Sequence, residues 1–141
     1  MRYTIVTMEI NYWAVLLCGI LSVGLQVIWY GPLFGRIWQK VTGGVRQNNP
    51  LRLGTQFLIT LFQVWVLVFF IRGWGVHSVG LPPTYFENAL WIWLAFVLPT
   101  IIGYCLLSLG ATKNTWIQCA LLAGHQFVNF FIFGLVLGAW R

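Results

Sequence analysis

Four stretches of this chain are apolar and long enough to cross a lipid bilayer as helices. A bilayer core about 30 Å thick needs about 20 consecutive apolar residues in a helix. The stretches that meet this length are residues 12–30, 53–71, 85–109 and 116–140. They predict an all-α integral membrane protein, with one domain over residues 1–141 that forms a bundle of four transmembrane helices. Pro99 lies within the third stretch and should kink it.

The segment after the first span combines apolar and basic residues in a helical pattern. Gly31–Pro32 is expected to end the first span, because proline cannot continue an α-helix. Residues 33–41 then predict a short amphipathic helix in the membrane interface, with an aromatic face and a basic face. The candidate interfacial anchors or lipid-headgroup contacts are Trp29, Tyr30, Arg36, Trp38 and Lys40.

Each predicted span also carries small or polar residues on one helical face. Residues four or seven apart share a face of a helix, and an unsatisfied polar group in hydrocarbon is costly, so these faces should turn inward. The candidate helix-packing residues are Ala14, Cys18, Ser22, Ala120, Gly124, Gly134 and Gly138. The candidate polar-seam or ligand-contact residues are Gln26, Gln56, Gln63, Gln118, His125 and Asn129.

Two interpretations of the polar face remain open at this point. Small residues let helices approach closely, and amides and hydroxyls form hydrogen bonds between helices worth about 0.6 kcal/mol each. Alternatively, the same side chains form a seam that holds or passes a small molecule.

His125 is the most informative single residue, because it lies near the middle of the fourth span. An ionisable residue inside the membrane is a functional candidate. It is predicted to be a neutral histidine hydrogen-bonded to its neighbours, a proton or substrate contact, or an axial ligand to a tetrapyrrole. No cofactor is predicted, and a tetrapyrrole or quinone contact is kept only as an alternative.

The composition excludes a water-soluble domain, a disordered chain and a nucleic-acid-binding protein. Hydrophobic residues make up 60% and charged residues 7% of the chain, whereas soluble domains average about 45–50% and about 25%. Walker, GxSxG and HExxH motifs are missing from the sequence. With two acids and two histidines in total, the chain has little material for acid–base catalysis, so we expect no enzyme.

The basic residues predict an orientation in the membrane. Five flank one side of the predicted spans, namely Arg36, Lys40, Arg46, Arg52 and Lys113, and three flank the other, namely Arg2, Arg72 and Arg141. Because Lys and Arg are enriched in cytoplasmic loops, the first and third connections should face the cytoplasm. We therefore predict a multi-pass protein of a bacterial inner membrane with both termini in the periplasm, in contact with anionic lipid headgroups.

The three cysteines are predicted to be small buried hydrophobic side chains. Cys18, Cys105 and Cys119 each lie inside an apolar stretch, and the sequence has no C-x-x-C pair.

The clearest local motif runs from Trp29 to Trp38, with the sequence W-Y-G-P-L-F-G-R-I-W. Together with the upstream N-Y-W-A-V of residues 11–15, it resembles the bacterial family catalogued as domain of unknown function 1761. That family looks like small four-span membrane proteins with an N-W-x-A-V opening, from which this chain departs by inserting Tyr12. Residues 93–99 are similar to the family's third span. The resemblance implies the four-span fold and assigns no activity.

Two functions are expected from these features. The first is a non-catalytic accessory or assembly subunit in a larger membrane complex, such as a photosynthetic or respiratory one, where it would contact lipid or pigment. The alternative is a small homo-oligomeric transporter or channel lined by the polar seam. The expected partners are membrane lipids and other membrane subunits or further copies of the chain, and no nucleic acid.

Overall fold

The computed structural model describes residues 10–44, 48–75, 85–108 and 112–140, and within these ranges the regular structure is helical. In chain order the elements are α1 (Tyr12–Ile28), a π-helical segment π1 (Trp29–Leu33), α2 (Gly35–Thr42), α3 (Pro50–Gly75), α4 (Tyr85–Ile92), a second π-helical segment π2 (Trp93–Val97), α5 (Leu98–Leu107) and α6 (Lys113–Ala139). Four helical stretches have the length and hydropathy of membrane spans: Tyr12–Leu33, Pro50–Phe70, Glu87–Leu107 and Lys113–Ala139. This is the predicted all-α, four-span architecture of a multi-pass membrane protein.

The first span does not end at Gly31–Pro32, contrary to the sequence prediction. The helix changes to π geometry and continues to Leu33, and the Phe34 amide donates to the Trp29 carbonyl at 2.9 Å. A π turn tolerates Pro32 because its wider ring moves the proline away from the carbonyl four residues earlier, where it would clash. The helix stops only at Phe34, whose φ of -121° and ψ of 6° are not helical.

The third span is irregular just before Pro99, as a proline there predicts. The π2 segment separates α4 from α5, and the Leu98 amide donates to the Trp93 carbonyl five residues back. Proline leaves one carbonyl of the preceding turn without a backbone donor. The Thr100 hydroxyl donates to the neighbouring Phe96 carbonyl, so side-chain bonding compensates for part of this disruption.

Helices α3 and α6 begin earlier than the hydrophobic pattern indicates. The Asn49 side chain accepts from the Arg52 amide at 2.8 Å, so α3 starts at Pro50. Thr112 and Thr115 form a reciprocal capping box that starts α6 at Lys113. The apolar pattern misses these polar first turns, because caps rather than hydrophobic residues determine where a helix begins. α3 also continues to Gly75, beyond the predicted end of the second span at residue 71. Residues 76–84 lie outside the described residues, as does Leu109, the predicted end of the third span.

The helices form a bundle that is open along one side. α1 lies antiparallel between α3 and α6, and the Asn11 side chain donates to the Trp140 carbonyl at 3.4 Å. α6 also packs on α2, α4 and α5, whereas α3 and α4 touch at few positions. The half of the bundle near Asn11 and Trp140 is filled by an apolar core of Ala14, Val15, Cys18, Val64, Leu67, Val68, Ala89, Phe130, Phe133 and Leu137.

Helix α2 packs against the protein more closely than an interfacial anchor would. The Trp38 side chain is 6% exposed and contacts the Tyr30 ring at 4.9 Å between centroids, and Tyr30 is 7% exposed. The prediction that Tyr30 and Trp38 are headgroup anchors is therefore wrong, because both rings lie inside the molecule. Arg36 and Lys40 are exposed, and their contact with lipid headgroups stays a prediction.

Cys105 and Cys119 form a disulfide between α5 and α6, with their Cα atoms 6.6 Å apart. Cys18 is buried and free. The sequence prediction of three free cysteines is therefore wrong for this pair, although both side chains are buried. The helical hairpin brings the two residues together across a separation of 14 positions, which no local spacing motif reveals.

Candidate functional site: a buried polar layer beneath an aromatic cap

The buried polar side chains lie together in one half of the bundle. These residues, which we call the polar layer, are Ser22, Gln26, Thr60, His125 and Asn129, and each is 5% exposed or less. Because α1 and α6 run antiparallel from Asn11 beside Trp140, Gln26 lies level with His125, and Ser22 lies level with Asn129. The polar layer therefore occupies the half opposite the apolar core.

One part of the polar layer is internally hydrogen-bonded. The Thr60 hydroxyl donates to the Ser22 hydroxyl at 3.0 Å. The Gln56 amide donates to Ser22 at 3.4 Å and to Thr60 at 3.2 Å. These bonds join α1 to α3 and hold Gln56 and Thr60 on one face of α3. This cluster is explained as an interhelical contact.

An aromatic cap covers the polar layer on the side of α2. The cap consists of Trp29, Tyr30 and Trp38, and its Trp29 and Tyr30 rings lie 6.1 and 5.3 Å from the His125 ring. The segment π1 supplies both of these rings. Gly124 makes room for the first, since a Cβ there would lie 3.1 Å from the Trp29 ring. Gly35 approaches the Tyr30 backbone even more closely, with a Cβ position 2.5 Å from its carbonyl oxygen.

A second part of the site has buried polar atoms without partners. Neither His125 Nε2 nor the two polar atoms of the Asn129 amide has a hydrogen-bond partner among the described residues. The same is true of Trp29 Nε1, Tyr30 Oη and Trp38 Nε1 in the cap. A buried polar group left unsatisfied costs about 1–3 kcal/mol. The site is therefore suited to a small molecule that donates and accepts hydrogen bonds.

Three of the predicted seam residues lie outside the polar layer: Gln56 is hydrogen-bonded to it, whereas Gln118 and Gln63 make contacts elsewhere. Gln118 donates to the Val41 carbonyl at 2.6 Å and joins α6 to the end of α2. Gln63 lies closer to the apolar core and lines a groove of about 300 Å³ between α3 and the third span, whose other walls include Phe96 and Phe130. The predicted continuous seam is thus divided into three parts. They are the hydrogen-bonded cluster of Ser22, Gln56 and Thr60, the capped site of His125 and Asn129 beneath the aromatic cap, and the apolar groove that Gln63 lines.

The predicted packing residues also differ in their surroundings. Ala14, Cys18, Ser22 and Gly134 are buried in the bundle, as expected of small residues between helices. Ala120 is exposed, and a Cβ at Gly138 would meet nothing within 4 Å. These two do not pack within the chain, so the packing predicted for them stays a prediction of contact with a partner helix.

The geometry narrows the roles left open for His125. A tetrapyrrole over its imidazole would need the space that the Trp29 and Tyr30 rings fill. Among the described residues, no group of three histidine, cysteine or acidic side chains could hold a metal ion. A hydrogen-bonding role, to protein or to a bound molecule, fits these surroundings better than axial ligation does.

Exposed basic side chains surround the end of the molecule nearer the polar layer. Arg36 and Lys40 lie on α2, Arg52 on the first turn of α3, and Lys113 at the start of α6. Glu87, the one acidic side chain within the described residues, lies near the start of the third span at the other end. Arg2, Arg46 and Arg141 lie outside the described residues, as does the side chain of Arg72.

Comparisons with known proteins give a family and no function. A family model described as a protein of unknown function, DUF1761, matches residues 13–138. Neither a curated protein nor a solved structure matches the chain. The sequence motif that carries the resemblance, residues 29–38, is the segment that forms π1, α2 and the aromatic cap. Sequence reasoning treated these aromatic residues as lipid anchors and missed their contact with His125.

Proposed function

Because this chain belongs to the family of unknown function DUF1761, which its model matches over residues 13–138, we propose a function from the site itself. The protein is a small membrane carrier that binds an uncharged, hydrogen-bonding solute in the polar layer. The supporting observation is that His125 and Asn129, 3% and 1% exposed, have side-chain atoms without a partner among the described residues.

The chemistry of the polar layer favours an uncharged solute. Its side chains are hydroxyls, amides and one imidazole, and it includes no carboxylate, lysine or arginine. An ion in this position would lose its hydration without gaining a counter-charge, which costs several kcal/mol. Neutral donors and acceptors instead suit a molecule the size of urea or glycerol.

The two coverings of the polar layer favour a carrier over an open pore. The aromatic cap closes it on one side, and the apolar core lies on the other. A solute could therefore pass only if the cap and the apolar half open in turn, which is alternating access. In this non-catalytic role, the basic end would face the cytoplasm of a bacterial inner membrane and the termini the periplasm.

Solute permeability of proteoliposomes tests the carrier proposal. The purified protein is reconstituted, and swelling is followed by stopped-flow light scattering with urea, glycerol and formamide as separate probes. At least one probe should enter about tenfold faster than into protein-free vesicles. His125→Leu and Asn129→Leu should each return that rate to the protein-free value, because each removes unpaired donors and acceptors from the site.

A matched variant on the same helix separates binding from folding. Phe133→Leu perturbs the apolar core of α6 without changing a polar group, so it should lower the thermal stability and keep the permeability. The carrier proposal is wrong if no probe enters faster than into empty vesicles. It is also wrong if the His125 and Asn129 variants, shown to be folded, transport as well as the native protein.

An accessory-subunit function is the second candidate, and a different surface supports it. Within the chain, only 6% of the third span is buried. Gly103 on α5 is a small residue on this surface, with nothing within 4 Å of its Cβ position. Small residues on an uncovered face permit close packing of a helix from another subunit.

A native pull-down distinguishes the two candidates. A C-terminally tagged chain is extracted in mild detergent and co-purifying polypeptides are identified by mass spectrometry. A stoichiometric partner that is lost in Gly103→Leu and kept in Gly24→Leu would support the accessory subunit, since Gly24 also has nothing within 4 Å of its Cβ position but lies on α1. A homo-oligomer without other partners would contradict it.

A further inference from the structure

The attachment of α5 to the rest of the molecule is narrow. Among its residues, Leu98–Leu107, only Cys105 is buried. Apart from π2, which precedes it in the chain, α5 packs to any extent only on α6. The Cys105–Cys119 disulfide lies in this contact, so a covalent bond reinforces a helix that few buried side chains hold in place.

The segment before α5 has the features of a hinge. π2 replaces regular α-helical bonding over Trp93–Val97, and Pro99 removes a backbone donor in the next turn. Breaks of this kind are where helices bend. Phe96 of π2 also forms part of the wall of the apolar groove that Phe62, Gln63, Phe70 and Phe130 line. Because none of the lining residues belongs to α5, a movement of α5 about π2 would separate α5 from α6 and leave the groove in place.

We propose that the Cys105–Cys119 disulfide is a redox-controlled latch. When formed, it holds α5 against α6; when reduced, α5 pivots at π2 and Pro99 and moves away from α6. Reduction is an exchange with a small dithiol. The Sγ–Sγ bond breaks, the two dithiol sulfurs become a disulfide, and their two protons end on the Sγ atoms of Cys105 and Cys119.

The position of the disulfide suits a switch better than a permanent link. The charge bias predicts that the connection between α5 and α6 faces the cytoplasm, where thiols are kept reduced and lasting disulfides are rare. Cys105 is fully buried and Cys119 is 5% exposed. The natural reductant is therefore a small uncharged dithiol that enters the membrane, since a protein reductant could not reach the sulfurs in this conformation.

Distances between spin labels measure the latch directly. Tyr104 on α5 and Leu58 on α3, each 66% exposed, are replaced by p-acetylphenylalanine and labelled through the ketone, which leaves the cysteines untouched. Before reduction, pulsed electron paramagnetic resonance in lipid nanodiscs should give a narrow distribution of distances between the two labels. After dithiothreitol, the distribution should broaden and its mean should lengthen by about 5 Å, the size of a one-turn helix shift.

Two further samples make the result decisive. Cys105→Ser with Cys119→Ser should show the broad distribution with and without dithiothreitol. A reference pair at Ile20 on α1 and Leu135 on α6 should not move. The latch proposal is overturned if the oxidised, reduced and double-serine samples give one distance. It is equally overturned if the reference pair moves as far as the α5 label, or if thiol-blocked membranes contain only free Cys105 and Cys119.

Discussion

Gly35 is the position where one added methyl group would do the most local damage. Its Cβ position lies 2.5 Å from the Tyr30 carbonyl oxygen, which is backbone and cannot rotate away. The close approach of α2 to π1 therefore requires glycine at this position. The same approach places the Tyr30 ring against His125.

Gly35→Ala should lower the free energy of unfolding by about 2 kcal/mol, the usual cost of forcing extra atoms into a packed site. Thermal unfolding in detergent measures this. The matched control is Gly24→Ala, where nothing lies within 4 Å of the Cβ position and the better helix propensity of alanine should leave stability unchanged or slightly raised. Equal stability of the two variants would contradict the close contact.

The two parts of the polar layer should respond oppositely to loss of a polar group. Thr60→Val should destabilise the fold by about 1 kcal/mol, since it removes the hydrogen bonds that join Thr60 to Ser22 and Gln56 and leaves only the longer bond between those two side chains. Asn129→Leu should leave stability unchanged or raise it, because the amide has no partner among the described residues to lose. Thermal midpoints in the same detergent compare the variants, and a larger loss for Asn129→Leu than for Thr60→Val would contradict the division.

At the scale of elements, the two π-helical segments show how proline acts in this protein. Pro32 lies inside π1, and Pro99 follows π2. In each case the backbone hydrogen bonds reach five residues back instead of four, and the span continues instead of ending. Sequence correctly predicted a disturbance at Pro99, but it wrongly predicted that the first span ends at Gly31–Pro32. A helix end and a π turn both remove the clash between the proline ring and the carbonyl four residues earlier. Packing of the span on α6 favours the π turn, because the helix then continues.

Helix α2 is the element in which lipid contact is most directly testable. It buries Trp38 and Val41 against the protein and leaves Arg36 and Lys40 exposed. Each basic residue near an anionic surface contributes about 1 kcal/mol. The thermal midpoint should therefore be higher in phosphatidylglycerol nanodiscs than in phosphatidylcholine nanodiscs, and Arg36→Gln with Lys40→Gln should remove most of this difference. Gln39→Ala on the same helix is the control, and a difference that survives the double variant would contradict headgroup binding.

At the scale of the whole molecule, the basic end is the feature from which the orientation in the membrane is predicted. The side chains of Arg36, Lys40, Arg52 and Lys113 are all at the end of the bundle near the polar layer. The positive-inside rule can orient the protein only if most of its Lys and Arg residues lie at the same end of the bundle, as these four do.

Fusions after Arg141 test the predicted orientation. In a bacterial host, an alkaline phosphatase fusion should be active and a green fluorescent protein fusion dark, because the C-terminus is predicted to be periplasmic. Arg46→Gln with Arg52→Gln removes two of the five basic residues on the cytoplasmic side and should give mixed populations. If the native sequence gives a fluorescent green fluorescent protein fusion and an inactive phosphatase fusion, the predicted orientation is wrong. The hairpin that contains Cys105 and Cys119 would then not face the cytoplasm.

The sequence by itself determined the class, the number of spans and part of the interior. Length and hydropathy are additive along the chain, so they predict four spans without knowledge of neighbours. Four-residue spacing is a local property of a helix, and it put Ala14, Cys18 and Ser22 on an inward face of the first span, where all three are buried. Span limits were less certain, because polar first turns such as Lys113–Thr115 depend on caps that hydropathy does not register.

Only the tertiary structure decided which faces meet. Trp29, Tyr30 and Trp38 are residue types typical of the membrane interface, yet Tyr30 and Trp38 are buried in the bundle. The geometry of π1 and the close approach at Gly35 place the Trp29 and Tyr30 rings beside His125. Cys105 and Cys119 become partners only when α5 folds back on α6. The division of the polar residues into a bonded cluster and a capped site likewise depends on the antiparallel register of α1, α3 and α6. Contacts between distant residues are set by that register, and a periodic pattern within one helix carries no information about it.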